Sequence, residues 1–105
     1  MRIETRESDD GAVVTIIVSG RFDIYLFNQF KASYEAFPKS TIFHIDLRYT
    51  EYMDSSALGM LLNMRSYLGG DCAKIKIVTS STGIQKVLEI AKFSKKFSIE
   101  SVSES

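Results

Sequence analysis

The sequence predicts an α/β fold: a single domain over residues 1–105, with a mixed, largely parallel sheet of about four or five strands packed by about three helices. Three observations carry this. Apolar, β-branched runs of strand length recur at residues 12–18, 42–47 and 73–78. Segments between and after them repeat their apolar residues at helical spacing. Gly, Pro and Asp/Ser clusters mark the changes of period. The order reads strand, strand, helix, strand, helix, strand, helix, strand. Such strand–helix–strand repeats cross over with a right hand and lay their strands parallel. No linker, internal repeat or low-complexity stretch divides the chain.

Each element has its own local cause. Residues 1–6 suit a short edge strand, and Ser8-Asp9-Asp10-Gly11 suits a turn. The run from Ala12 to Val18 is β-branched and nearly continuous, as in a strand covered on both faces or close to it, and Gly20 is expected to end it. Ser19 to Asp23 then forms a loop into a first helix. There Phe27, Phe30, Tyr34 and Phe37 make one buried stripe, and Pro38 stops the helix. Residues 42–47 form the next strand, and a central helix runs from about Ser55 to Leu68 before Gly69-Gly70-Asp71 breaks it. Ala73 to Val78 alternates as a half-buried strand. Thr79-Ser80-Ser81-Thr82 offers N-caps to a third helix, whose Ile84, Val87, Leu88 and Ala91 share a face. Phe97 to Ile99 can add a final short strand, and Glu100 to Ser105 reads as a polar tail.

Composition narrows the function classes. Thirteen basic residues balance thirteen acidic ones, which leaves no electrostatic footprint for nucleic acid or an anionic membrane. No apolar run approaches the roughly 18 residues of a membrane span, and Met1-Arg2-Ile3-Glu4 does not open a signal peptide. The lone Cys72 forbids an internal disulfide and fits a reducing compartment, so a soluble, cytoplasmic protein is expected, monomeric by default. His44 has no second His or Cys nearby to build a metal site, and no Gly-rich loop is present to cradle phosphate. A triad of His44, Asp46 and Ser55 is opposed by strand position and facing. Cys72 lacks a basic neighbour to activate it. Lys86, Lys92, Lys95 and Lys96 gather where they suit the negative end of the third helix. No catalytic residue, metal or cofactor is expected.

The informative stretch is Tyr52-Met53-Asp54-Ser55-Ser56-Ala57-Leu58-Gly59, which opens the central helix. Asp54 is a good N-cap, because its carboxylate can accept from free amides of the first turn. Ser55 and Ser56 then sit where unpaired amides and the positive end of the dipole favour a negative group such as a phosphate. At 100° per residue, Ala57, Leu58, Leu61, Met64 and Leu68 share a core face, while Ser55, Gly59, Leu62 and Ser66 line a neighbouring flank. Gly59 costs about 1 kcal/mol relative to Ala inside a helix. Close approach of another backbone, from this domain or from a partner, would account for it. The flank reads as a docking surface with a hydroxyl at one end, although helix capping alone also explains an Asp-Ser-Ser cluster.

Met53-Asp54-Ser55-Ser56-Ala57-Leu58-Gly59 resembles the signature of the anti-sigma factor antagonists of the STAS domain family, apolar-Asp-Ser-Ser/Thr-Gly-Leu-Gly, with Ala57 in place of the usual Gly. Gly20-Arg21-Phe22-Asp23 is similar to that family's Gly-x-apolar-Asp loop. The resemblance implies a STAS-like domain that binds and regulates and does not catalyse. It implies phosphorylation of Ser55, with Ser56 the lesser candidate. Together with the helix flank, it assigns partner binding to Phe22, Asp23, Asp54, Ser55, Ser56, Gly59, Leu62 and Ser66. The implied partner is an anti-sigma factor or related regulator, often a serine kinase with a histidine-kinase-like ATPase fold. Phosphorylation would release it, and a serine phosphatase would restore binding.

Asp23 in this reading orients the hydroxyl or meets a cation in the kinase complex; alternatively it caps the following helix. Ile24-Tyr25-Leu26-Phe27 is more apolar than the family's pattern. Exposed, those side chains would enlarge an interface; buried, they would anchor the helix. Some STAS domains are structural subunits, for example of a lipid transporter's ATPase, and need no phosphoserine. A hydrolase using Ser55 would lack a base and an oxyanion arrangement.

Overall fold

The structure, a computed structural model, describes residues 2–102. Two strands, β1 (Arg2–Glu7) and β2 (Val13–Phe22), pair antiparallel across a turn in which the Gly11 N–H donates to the Ser8 carbonyl at 2.9 Å. A single 3₁₀ turn (Ile24–Leu26) leads into α1 (Phe27–Glu35). Then come β3 (Ile42–Asp46), β4 (Thr50–Met53), α2 (Ser55–Tyr67), β5 (Ile75–Thr79), α3 (Thr82–Ile90) and β6 (Ser98–Ser101). The main sheet runs β1-β2-β3-β5-β6, and β4 pairs with the end of β2. Every pairing except β1 with β2 is parallel, as the crossovers require.

The mixed, largely parallel sheet of the sequence reading is present, with β4 as an unanticipated sixth strand. Its cause is Gly20. Expected to end β2, Gly20 instead lies within it at φ 82°, where the register shifts. A glycine bulge re-aims a strand without ending it. Beyond it β2 exchanges its neighbour β3 for β4. The Thr50 hydroxyl fixes the crossing by donating to the Val18 carbonyl at 2.8 Å.

Burial alternates along β2 between buried and half-buried residues, so one face is fully covered and the other partly, where cover on both faces or close to it was expected. Val14, Ile16 and Val18 point into the core with Phe43, Ile45 and Ile77, while Thr15 pairs with His44 and His44 with Lys76 on the opposite, half-buried face. The helices fill the covered side. Phe30 and Tyr34 of α1 are buried and Phe37 partly so, but Phe27, at the first turn of the helix, is exposed and leaves the expected stripe. An aromatic row links α1 to α2, with ring centroids 5.2 Å apart for Phe22–Phe30, 5.6 Å for Phe30–Tyr34 and 5.5 Å for Tyr34–Tyr67. Glu100 belongs to β6 and not to a tail. Met1 and residues 103–105 lie outside the described residues.

Candidate functional site

The pairing of β2 with β4 builds the site. Arg21 lies opposite Tyr52 and Phe22 opposite Met53, so the next residues, Asp23 and Asp54, leave the sheet side by side in the same direction. Each of these two aspartates caps the helical turn that begins directly after it. Asp23 Oδ1 accepts from the Tyr25 N–H at 3.1 Å and starts the 3₁₀ turn. Asp54 Oδ1 accepts from the Ser56 and Ala57 N–H groups at 3.1 and 3.2 Å and starts α2. The capping alternative for Asp23 is therefore realised in the fold. It leaves Oδ2 facing Arg21, whose Nε is 3.4 Å away.

The two serines are not equivalent. Ser56 is half-buried, and its hydroxyl donates to Asp54 Oδ1 at 2.5 Å. Ser55 is exposed, and among the described residues its hydroxyl has no hydrogen-bond partner. The cap of α2 is Asp54, so Ser55 is not consumed in capping. The Ser56 hydroxyl, assisted by the two amides, holds the Asp54 carboxyl below its ordinary value of 3.8 against the opposing effect of desolvation. Asp54 is thus a carboxylate at neutral pH, next to a free hydroxyl at a helix start.

The predicted flank of α2 is on the surface. Ser55, Leu62 and Ser66 are exposed and Gly59 is half-buried, while Ala57, Leu61, Met64 and Leu68 are buried as expected. Met60 is buried as well, and Leu58 only partly. A Cβ built on Gly59 meets nothing within 4 Å, so among the described residues no backbone from outside its own helix approaches it closely. That half of the explanation for Gly59 is excluded. The other half, a partner's backbone, stands.

Phe22 does not line the surface. It is fully buried and packs on Phe30, so it supports the loop from below. The apolar tetrapeptide after Asp23 splits in two: Leu26 is buried, whereas Tyr25 is 80% exposed and Ile24 56% exposed. Both outcomes considered from sequence occur together, Leu26 anchoring the turn and Ile24, Tyr25 and Phe27 standing exposed. Tyr49 and Tyr52, on β4 and the loop before it, are also exposed. Neither Arg21 nor Tyr49 was singled out from sequence. The signal was the glycine bulge, which carries β2 on to Arg21 and brings Tyr52 beside it.

Other candidates disperse. Asp46 is buried, which pushes its carboxyl up, but Arg48 holds it below the ordinary range through contacts of 2.9 and 2.8 Å. Asp46 is thus engaged by Arg48 and not by His44, and no triad is assembled. Partial burial, then Lys76, pushes the His44 imidazole down. Among the described residues no group of three or more His, Cys, Asp or Glu is placed to hold a metal ion, and no helix is long and apolar enough to cross a membrane.

Comparisons with known proteins bear on the family and the fold. A sequence model of the family described as "Mlab, STAS domain" matches residues 5–100. A STAS-domain containing protein of Pseudomonas aeruginosa (strain UCBPP-PA14) is 39% identical over 102 residues, spanning 94% of this chain and 99% of its own. An anti-sigma factor antagonist from Mycobacterium paratuberculosis superposes with a TM-score of 0.76 at 22% identity, over 96% of this chain and 87% of that one. The Bacillus cell fate determinant SpoIIAA, solved in its phosphorylated form, gives a TM-score of 0.72 at 18% identity, over 98% and 93%. At such identities these two structures speak to the fold.

Proposed function

The chain belongs to the STAS domain family, a regulatory and non-enzymatic family, and from that premise we propose that it is a phosphorylation-switched binding protein of the anti-sigma factor antagonist kind. Unphosphorylated, it docks through the Asp23 loop and the Ser55–Gly59–Leu62 flank onto an anti-sigma factor or related regulator. That regulator, or a kinase acting with it, transfers the terminal phosphoryl group of ATP to Ser55 Oγ. The hydroxyl proton is lost and ADP leaves, and the partner is released. A serine phosphatase hydrolyses the ester and restores docking, all in the cytoplasm.

One observation carries the reading: the Ser55 hydroxyl is exposed and free because Asp54 does the capping and also ties down Ser56. A phosphate adds a charge of about −1.5 to −2. At a helix start that charge is compatible with the fold. At an interface it must be desolvated beside Asp23 and Asp54, and a tenfold loss of binding needs only about 1.4 kcal/mol. The chain is the substrate in this scheme.

A second reading keeps the docking surface and drops the switch: a structural subunit of a transporter or another complex. The exposed Ile24, Tyr25 and Leu62 support it, since apolar anchors need no phosphate. A pull-down from the native host with wild type, Ser55→Ala and Ser55→Glu as baits separates the two. A regulator held by wild type and Ser55→Ala but lost from Ser55→Glu supports the switch. Equal recovery on all three overturns it in favour of the structural subunit.

A further inference from the structure

Arg21 is the only basic residue between positions 13 and 30, and positions 50–64 contain none. Within β2, β4 and the two turns they feed, it is thus the single positive charge. Its surroundings are acidic. Asp23 lies just beyond it on the same strand end, and Glu51 and Asp54 flank Tyr52 across the pairing.

The side chain is aimed along its strand toward the residues that leave the sheet. Nε lies 3.4 Å from Asp23 Oδ2, and Cζ sits 4.3 Å from the centroid of the Tyr52 ring. Because Phe22 pairs with Met53, Asp23 is level with Asp54, one strand spacing of about 4.8 Å away. Ser55 is the next residue. The guanidinium therefore lies between Asp23 and the Tyr52 ring, on the two strands whose ends lead to the 3₁₀ turn and to α2.

It is held loosely there. Arg48 grips Asp46 with two contacts of 2.9 and 2.8 Å, whereas Arg21 makes one long contact to a carboxylate and its side chain is 60% exposed. A guanidinium has five donors in a rigid fork that matches phosphate oxygens two at a time. Most of that capacity is unspent in the unphosphorylated chain.

We propose that Arg21 is the intramolecular partner of phosphorylated Ser55: its guanidinium leaves Asp23 Oδ2, stays against the Tyr52 ring and donates to the phosphoryl oxygens. The inference rests on the reading of Ser55 as a phosphorylation site. The exchange leaves the fold intact, because Asp23 keeps its cap through Oδ1, which bonds the Tyr25 N–H and not Arg21. It also answers the charge problem at the site, where a phosphate dianion would otherwise face Asp54 and Asp23 with no counter-charge on these elements. Phosphorylation then does more than add charge. It also draws Arg21 off Asp23 Oδ2.

Phosphoserine encoded genetically at position 55 of the full chain tests this without a kinase. The phosphorus NMR titration of wild type should have its second ionisation midpoint about half a pH unit below that of Arg21→Gln, the direction a nearby cation imposes. Arg21→Lys should fall between them. Lys39→Gln should match wild type, since Lys39 stacks on Tyr67 at 4.6 Å, away from the site. Coincident midpoints in wild type and Arg21→Gln overturn the proposal. The Arg21 Nε–Hε resonance needs no variant: it should move on phosphorylation and titrate with the phosphorus, and a static resonance is equally fatal. Failure of the switch reading is separate, because equal partner recovery on the three baits would leave this titration unchanged.

Discussion

The first turns of α2 and α3 are both written in small residues that include a hydroxyl, and they end in opposite states. Asp54-Ser55-Ser56 opens one and Ser81-Thr82-Gly83 the other. In α3 a serine is the cap: Ser81 Oγ accepts from the Ile84 N–H at 3.4 Å. In α2 a carboxylate is the cap, and Ser55 is left exposed and unbonded. A hydroxyl at a helix start is available for chemistry only where another residue satisfies the amides. The start of α3 faces β4, the strand that leads into α2, across a groove of about 270 Å³ lined by Tyr52, Met53, Ser81, Ile84 and Val87 among others. The surroundings of the two starts still differ, because the exposed Leu62 lies on α2 itself and the exposed Ile24 and Tyr25 follow Asp23 at the end of the strand paired with β4.

The same charge placed at both starts should separate them most widely. Ser55→Glu should lower partner recovery at least about tenfold, or about 1.4 kcal/mol. Thr82→Glu, at the first residue of α3, should leave it unchanged. Both variants should melt within a few degrees of wild type by circular dichroism, since an acidic side chain suits a helix N-terminus. Equal losses from the two would mean that charge anywhere near the groove suffices, and that Ser55 has no special place.

Next in size is the apolar contrast. Tyr25→Ala should weaken partner binding by about 1 to 2 kcal/mol, as truncation of a buried interface tyrosine does. It should change stability by no more than about 0.5 kcal/mol, because the side chain is exposed in the free chain. Ile90→Ala, at the far end of α3 and 79% exposed, is the matched control and should affect neither. Calorimetric titration with the captured partner reads both variants.

The caps themselves differ by chemistry. Asp54→Ala should cost about 1 kcal/mol in urea unfolding, and Ser81→Ala about half that, given its single long bond. Only the first should depend on pH. The Asp54 carboxyl is lowered in the folded chain, so its contribution is complete above the ordinary value of 3.8 and fades as pH falls through the lower folded value. The gap between wild type and Asp54→Ala should therefore close in acid, while the gap for Ser81→Ala stays constant.

What could be read from the chain without coordinates was local. The Asp54 cap, the exposed flank of α2 and the buried stripe of α3 arise from spacing within one helix, and the sequence is sufficient for such patterns. β4 was not readable. Thr50-Glu51-Tyr52-Met53 is short and half polar, and it is a strand only because β2 continues past the Gly20 bulge to meet it. The burial of Phe22 and the meeting of Arg21 with Tyr52 depend on the same long-range pairing, so they were equally hidden. The site joins a legible half, on α2, to an illegible half across the β2–β4 register.

Glycine offers the smallest and cleanest contrast between the two helices. Gly59 lies in α2 and Gly83 in α3, and neither carries the positive φ that would exclude a side chain. A Cβ on Gly59 meets open space, and one on Gly83 comes no closer than 3.6 Å to Ser81 Oγ, an ordinary contact. Alanine at either position should therefore stabilise the fold, by about 0.5 to 1 kcal/mol. Partner binding should split them. If Gly59 is kept so that a partner's backbone can lie against α2, Gly59→Ala should raise the melting midpoint and weaken binding at once, while Gly83→Ala raises the midpoint alone. Binding unaffected by Gly59→Ala would remove that residue from the docking surface and confine the contact to the Ser55 end of the helix. A gain in stability joined to a loss in binding has no folding explanation, so it would mark Gly59 as an interface residue.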